Sequence, residues 1–333
     1  MHVAELDYDL PETAIAQVPV EPRDAARLLV DHGPQREPEH RLVADLPDLL
    51  APGDLLVVND TRVRRARLRV RKPTGGAVEV LLLEPRPDGS WEALVRPAKR
   101  VRAGTRLEGD GGLVVVAGED LGDGRRAVEV TGDIETAGEM PLPPYIHAAL
   151  GDPDRYQTVF ARRLGSAAAP TAGLHLTDDL LGRCAERGID VARIELHVGL
   201  DTFRPITVDR VDTHPMHREA YEVSAETWNT VLATRERGGA IVAVGTTVVR
   251  TLESVAASGE LAGRTDLFIR RGYELAVVDR LLTNFHVPRT TLLALVDAFV
   301  GPRWRTLYAT ALDGGYRFLS FGDASLLSRA AQP

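Results

Sequence analysis

Apolar positions set three rhythms along the chain. A short run, Leu55 to Val58, follows the turn signal Pro52-Gly53-Asp54 and predicts a buried strand ending at Asn59. From Arg62 to Val130, short pieces (ARLRVR, AVEVLLLE, WEALVR, GLVVVA, RRAVEVTG) recur about every 10 residues between Gly, Pro and Asp turns. That spacing predicts a small sandwich or barrel without a long helix. Pro141, Pro143 and Pro144 then make GEMPLPPYIH an extended connector, because proline continues neither a helix nor a central strand.

After Tyr156, helical periodicity alternates with apolar strands, the pattern of an α/β fold. Residues 178–187 read as a helix opened by Thr177 and closed by Gly188, feeding the strand IDVARIELHV. Residues 224–237 read as a helix capped by Ser224, with Glu226 in its first turn, feeding IVAVG. TTVVRTLESVAASG forms a helix ending near Gly259, FIRRGYELAVVDRLL supplies two strand pieces, and TTLLALVDAFVG is a further apolar helix. The simplest architecture joins the strand at 55–58 to this later part, with the β-rich block inserted between; composition equally allows two tandem domains.

Composition narrows the class. At 333 residues, with 44% hydrophobic and 26% charged positions, the chain is a folded protein of about two domains, which excludes a disordered, collagen-like or coiled-coil chain. A net charge of −8 makes no global case for a polyanion partner, so nucleic-acid contact needs a local patch. One exists: Arg62 to Lys72 holds seven basic residues and no acid, with Arg65, Arg67, Arg69 and Arg71 on one strand face, and Arg96, Lys99, Arg100, Arg102 and Arg106 add to it within the same block. It reads as a phosphate-backbone footprint or as a solvated strand face. Cys184 is the single cysteine, which excludes an internal disulfide and a thiolate zinc cage and fits a reducing cytoplasm. The acidic start MHVAELDYDLPE is unlike a secretory signal, and no apolar run reaches the length of about 18 residues that spans a bilayer, so a soluble cytoplasmic protein is expected.

Ligands of open α/β sheets bind outside the carboxyl ends of the strands. Three strand-to-helix junctions have that form: IELHV into HVGLDTFRP, IVAVG into GTTVVRTLES, and RLLTNF into HVPRTTLL. Thr246 and Thr290 stand there as helix caps, and a helix start is also an anion site. Arg250 and Glu253, one turn apart, read as a solvent-side ion pair or as part of such a site. Of nine histidines, His175, His197, His214, His217 and His286 lie in the α/β part, without HxH or HExxH spacing, so no metal site is expected. His217 and Glu219 share a face if extended, giving either a proton-transfer pair or an exposed strand pair. The loop AAAPTAGLHL, with Pro170, Thr171, Gly173 and His175, allows close backbone approach to a flat ligand or simply leads into the next helix.

Nine ordered motifs, NDTRV, GEMPLPPYI, YQTVFA, AAPTAGLH, HVGLDTF, MHRE, GTTVVRTLES, TNFHVP and SFGDA, run nearly end to end. Through them the chain resembles the S-adenosylmethionine:tRNA ribosyltransferase-isomerases of queuosine biosynthesis, the QueA family. The resemblance implies a three-layer α/β/α main domain, residues 1–61 and 150–333, with a small β-barrel domain inserted at 62–149. It implies transfer and isomerisation of the ribosyl part of S-adenosylmethionine onto 7-aminomethyl-7-deazaguanine in tRNA, giving epoxyqueuosine, adenine and methionine. S-adenosylmethionine is then a consumed co-substrate and no cofactor is needed; the partners are that tRNA and S-adenosylmethionine, with no membrane, and a monomer is expected.

On the family's motifs, His217 with Glu219 are the leading acid-base candidates and His197 or His286 the second. Thr246, Thr247 and Arg250 are assigned to the methionine carboxylate, Thr171 and His175 to the nucleoside, with Asn59, Arg62, Tyr145, Gly173 and Glu253 completing the substrate set. Arg65, Arg67, Arg69 and Arg71 are assigned to tRNA. The chain departs from the family pattern at Asp201, Arg218 and Arg270-Arg271, where charge replaces small or uncharged residues, so a changed acceptor is an alternative. A non-catalytic RNA-binding protein and a metal-dependent hydrolase are the rival classes.

Overall fold

The first 60 residues contribute more strand than the pattern shows. β1 (Arg27–Val30) and β2 (Glu39–Leu42) pair antiparallel, α1 (Leu46–Leu49) follows, and β3 (Leu55–Asn59) is the expected strand with all its residues buried. The computed structural model describes residues 1–199 and 205–330, and Asp201 of the HVGLDTF segment lies outside them. The chain divides into two compact units, Met1–Arg62 with Pro143–Arg163 and Ala169–Pro333, and Val63–Leu142 with Leu164–Ala168. β4 (Thr61–Val63) runs from the first unit into the second.

The second unit is a closed antiparallel barrel. Its strands are β5 (Arg67–Arg71), β6 (Ala77–Pro85), β7 (Trp91–Arg96), β8 (Arg106–Glu108), β9 (Val114–Gly122) and β10 (Arg125–Thr131), closed in the order β10-β7-β6-β5-β8-β9. Alternation turns Leu68, Val70, Val78, Val80, Val95 and Val115 into the buried interior. Closure removes the free edges a sheet of this size would expose. Five strands coincide with the five alternating pieces; β8 is three residues long, too short to show a period. A one-turn helix, α2 (Ile134–Ala137), is capped by Asp133. The connector behind it is more than extended chain: Arg67 and Glu139 exchange backbone hydrogen bonds of 3.2 and 2.8 Å. Gly138 permits this approach, since a Cβ there would fall 1.8 Å from the Arg65 carbonyl oxygen.

β11 (Arg163–Ser166) starts in the first unit and ends in the second. The rest of the first unit comprises α3 (Asp178–Glu186), β12 (Asp190–Leu196), β13 (Glu219–Glu222), α4 (Ala225–Glu236), β14 (Ile241–Val244), α5 (Thr246–Ser258), β15 (Ala262–Thr265), β16 (Arg280–Asn284), α6 (Thr291–Val300), α7 (Trp304–Asp313) and β17 (Ala324–Ser328). One nine-stranded mixed sheet results, in the order β15-β13-β12-β3-β14-β16-β17-β1-β2. β12, β3, β14 and β16 lie parallel in a row, so their carboxyl ends come to one edge.

Capping explains the helix boundaries. Thr177, Ser224 and Thr290 each accept the amide hydrogen three residues on, and Gly259 closes α5 in the left-handed conformation. On one face of the sheet Leu28, Val30, Leu56, Val58, Val242 and Leu326 pack with Leu46, Leu180 and Cys184 from α1 and α3. The alternate positions Leu55, Val57 and Ala243 turn to the other face, and α5 packs on β3, β12 and β14. One expectation fails: FIRRGYELAVVDRLL supplies one strand, β16, not two. Its first apolar stretch stays out of the sheet because the buried Glu253 carboxylate accepts the amide hydrogens of Ala276, Val277 and Val278 at 2.7–3.0 Å.

Candidate active site

At the junction of β14 with α5, Gly245 takes φ +94° as the residue preceding the helix. Thr246 is therefore the first helical residue and not the cap expected of it. Asn59, at the end of β3, joins the neighbouring strand ends: its amide nitrogen donates to the Leu196 carbonyl at 2.9 Å and lies 3.5 Å from Thr247 Oγ1. Next along the sheet, Thr171 donates to Asn284 Oδ1 at 2.9 Å, and Thr283 Oγ1 lies 3.0 Å from His286 Nε2. Gly245, Thr246, Thr247, Thr171, Asn284 and His286 line a cavity of about 370 Å³. Thr171, Asn284 and His286 also line one of about 310 Å³ with Tyr145 and Ser320, whose hydroxyls are 2.7 Å apart. Burial pushes the His286 imidazole down to about 3, so it is neutral at physiological pH. Burial likewise raises the Tyr145 phenol, against the opposing hydrogen bond to Ser320.

A larger cavity of about 540 Å³ is lined by His214, Met216 and His217 from one segment, by Glu219 and Arg250, by Leu267, Phe268 and Ile269, and by Leu292 and Leu295 of α6. Leu292 lines all three spaces. Glu219 and Arg250 form a buried ion pair, their side chains 7% and 9% exposed. The second Glu219 oxygen accepts the Gly199 amide hydrogen at 3.0 Å, while Arg250 also donates to the Leu267 carbonyl at 3.0 Å. The pair thus ties the start of β13 to α5 and to the wall at 267–269. His217 is exposed beside it, and the His214 ring lies 6.0 Å from Phe268 in an edge arrangement. Burial, and then the charge of His217, disfavours protonation of His214.

Several expected site residues lie elsewhere. Glu253, fully buried, is occupied by the backbone amides that follow Tyr273 and lines none of these spaces; it is not the solvent-side partner of Arg250. Its carboxylate helps burial push the Tyr273 phenol up to about 12. His175 faces the carbonyls of Ala172 and Gly322 at 3.1 and 2.8 Å, and burial lowers its pKa. Gly173 packs where a Cβ would fall 2.7 Å from Phe160. His197 Nε2 lies 3.6 Å from Glu195 Oε2, beside an open polar groove lined by Asp60, Arg162, Arg163, Arg193, Glu195 and Glu222, among others. Desolvation raises both Asp60 and Glu195 there, against the opposing arginines. Arg62 is exposed. In the barrel, Arg69 is paired with Glu139 at 2.9 Å, Arg67 lies 3.8 Å from Glu79, Arg65 is half-buried and Arg71 is exposed.

Among the described residues no group of three or more His, Cys, Asp or Glu is placed to hold a metal ion, and no helix is long and apolar enough to cross a membrane. Sequence reasoning gave His214, Phe268, Asn284 and Ser320 no separate roles. TNFHVP and SFGDA flagged the segments of the last two. His214 and Phe268 become neighbours only through the fold.

A family model described as queuosine biosynthesis protein matches residues 3–327. A protein of Symbiobacterium thermophilum named S-adenosylmethionine:tRNA ribosyltransferase-isomerase is 52% identical over 98% of this chain and 100% of its own length. The chain belongs to this family. A second member so named, from Rubrobacter xylanophilus, is 51% identical over 98% of both chains. The crystal structure of a Thermotoga maritima S-adenosylmethionine tRNA ribosyltransferase is 40% identical, with a TM-score of 0.57 over 97% of this chain and 99% of its own. The segments that carry the family resemblance, NDTRV, AAPTAGLH, MHRE, GTTVVRTLES and TNFHVP, supply Asn59, Thr171, His217, Thr246 and Asn284 to the strand ends and cavities of the first unit.

Proposed function

We propose that this chain transfers and isomerises the ribosyl part of S-adenosylmethionine onto the aminomethyl group of 7-aminomethyl-7-deazaguanine in tRNA, forming epoxyqueuosine and releasing adenine and methionine. Membership of the family supports the overall reaction. The observation that carries the site assignment is the convergence of His217, Glu219 and Arg250 on one cavity that shares the wall residue Leu292 with the threonine- and asparagine-lined space beside it.

The sulfonium acidifies the adjacent 5′ carbon. In this reading His217 takes a proton from that carbon, the sugar ring opens, and adenine leaves with the proton His217 accepted. The acceptor amine then adds to C4′ of the resulting vinyl sulfonium and gives up a proton to solvent, the regenerated 5′ ylide carbon bonds to the C1′ aldehyde to close the cyclopentane, and the alkoxide so formed displaces methionine from C5′ to close the epoxide. Glu219 and Arg250, each committed to the other, act as positioning residues that hold the base segment and the wall at 267–269. Arg250 is thereby removed from the carboxylate-binding role, which falls to Thr246, Thr247 and the free amides at the start of α5. Phe268 and the apolar wall exclude water from the ylide-like intermediate. His214 joins the acid-base set in its neutral form. His286, neutral and bonded to Thr283, orients the polar end of the nucleoside with Asn284 and Thr171.

The test incubates the protein with S-adenosylmethionine and tRNA bearing 7-aminomethyl-7-deazaguanine, with unmodified tRNA as the control. Free adenine and a mass gain on the nucleoside are expected only with the amine-bearing tRNA. H217N should lower adenine release by roughly 10²- to 10⁴-fold with an unchanged melting curve; full activity would remove His217 from the mechanism.

A further inference from the structure

We propose that the barrel grips the tRNA sugar-phosphate backbone with Lys99, Arg100 and Arg102, flanked by Arg71 and Arg96, and not with Arg67 and Arg69 of β5; this rests on the reading above that the protein acts on tRNA. Arg67 and Arg69 are neutralised within the barrel. Arg69 binds Glu139 through Nε at 2.9 Å and lies 3.9 Å from Glu79. Arg67 is 3.8 Å from the same Glu79 oxygen and donates to the Leu142 carbonyl at 3.1 Å.

The segment after β7 presents the opposite case. Arg71, Arg96, Lys99, Arg100 and Arg102 are all exposed, and among the described residues none of them has a carboxylate within ion-pair distance. The acids opposite Arg96 and Arg71 in the sheet are already engaged: Glu79 as above, and Glu108 with Arg106 at 3.2 Å. The backbone that carries these cations is also held in place. Val101, 1% exposed, anchors the segment in the barrel interior, and its amide closes the turn at Ala98 at 3.0 Å. Arg102 and Thr105 close a second turn through Arg102 N–H to Thr105 Oγ1 at 3.1 Å and the Thr105 amide to the Arg102 carbonyl at 3.0 Å. Lys72 reaches the Arg100 carbonyl and ties the 72–76 turn to the same place. Exposed cations without acidic partners, carried on a backbone pinned at both ends, suit the phosphates of a nucleic-acid backbone; a hydrophobic partner surface would need other chemistry.

Binding of unmodified tRNA to the full-length protein, followed by fluorescence anisotropy over a salt series, tests this. For K99E/R100E/R102E we expect a Kd at least tenfold higher at about 0.1 M salt, and a log Kd against log salt slope shallower by roughly two to three, as loss of three phosphate contacts predicts. R67Q/R69Q should weaken binding less than twofold. Unchanged thermal unfolding shows that the triple variant folds. If wild type modifies tRNA while the triple variant keeps its affinity and salt slope, or if R67Q/R69Q does the greater damage, this surface is not the grip. If wild type neither binds nor modifies tRNA, the functional reading fails first.

Discussion

Replacing Arg250 by Met takes the guanidinium away from the Glu219 carboxylate, whose side chain is 7% exposed. The Gly199 amide at 3.0 Å would still donate to that carboxylate, but the Arg250 bonds to the Leu267 and Thr265 carbonyls would go as well. Removing one partner of a buried ion pair costs about 3–5 kcal/mol, against a total stability of about 5–15 kcal/mol. The first unit holds about 250 residues, and at roughly 2.1 cal/mol/K per residue its unfolding entropy is about 0.5 kcal/mol/K. R250M should therefore melt about 6–10 °C below wild type. Urea unfolding followed through Trp228 and Trp304, both in this unit, gives the same difference at 25 °C. E219Q/R250M removes both charges of the pair and should cost about 2 kcal/mol less than the two single variants summed. Adenine release should fall in R250M and in E219Q/R250M, because the wall at 267–269 loses its tie to Arg250. A cost of R250M under about 1 kcal/mol together with strict additivity would refute the closed, water-excluded pairing on which the site assignment depends.

Two further outcomes follow from buried groups outside that pair. His286 has its folded pKa at about 3, below the ordinary imidazole value of about 6.5, so the unfolded chain binds more protons and stability falls as pH drops through that window. Going from pH 7 to 5 should cost wild type about 2 kcal/mol from this group, with His175 adding in the same direction; H286N should flatten the dependence, and an equal slope in urea titrations of both proteins would contradict it. E253A removes the acceptor of the Ala276, Val277 and Val278 amides and should cost roughly 3 kcal/mol or more. Hydrogen exchange at those three amides should accelerate, and unchanged protection would show that Glu253 does not hold the segment.

Much of this molecule is written locally. The alternating pieces from ARLRVR to RRAVEVTG became strands because a period of two is a property of neighbouring residues, and the barrel interior follows from it. Thr177, Ser224 and Thr290 cap their helices because the bond spans three residues. Strands β1, β2 and β17 carry weaker signals, being short segments whose pairing partners are distant in sequence.

The sequence by itself determined the family, through nine motifs in order, and the identities of the groups available for chemistry. Only the tertiary structure decided what those groups are free to do. Arg250 and Glu253 look alike on the page, polar residues one turn apart on α5, yet one closes on Glu219 from a different strand and the other on amides more than twenty residues away. Arg69 is spent on Glu139 while Arg100 is left to solvent. Each outcome turns on which charge or amide the folded chain brings within about 3 Å, and pairing across such separations leaves no trace in local periodicity.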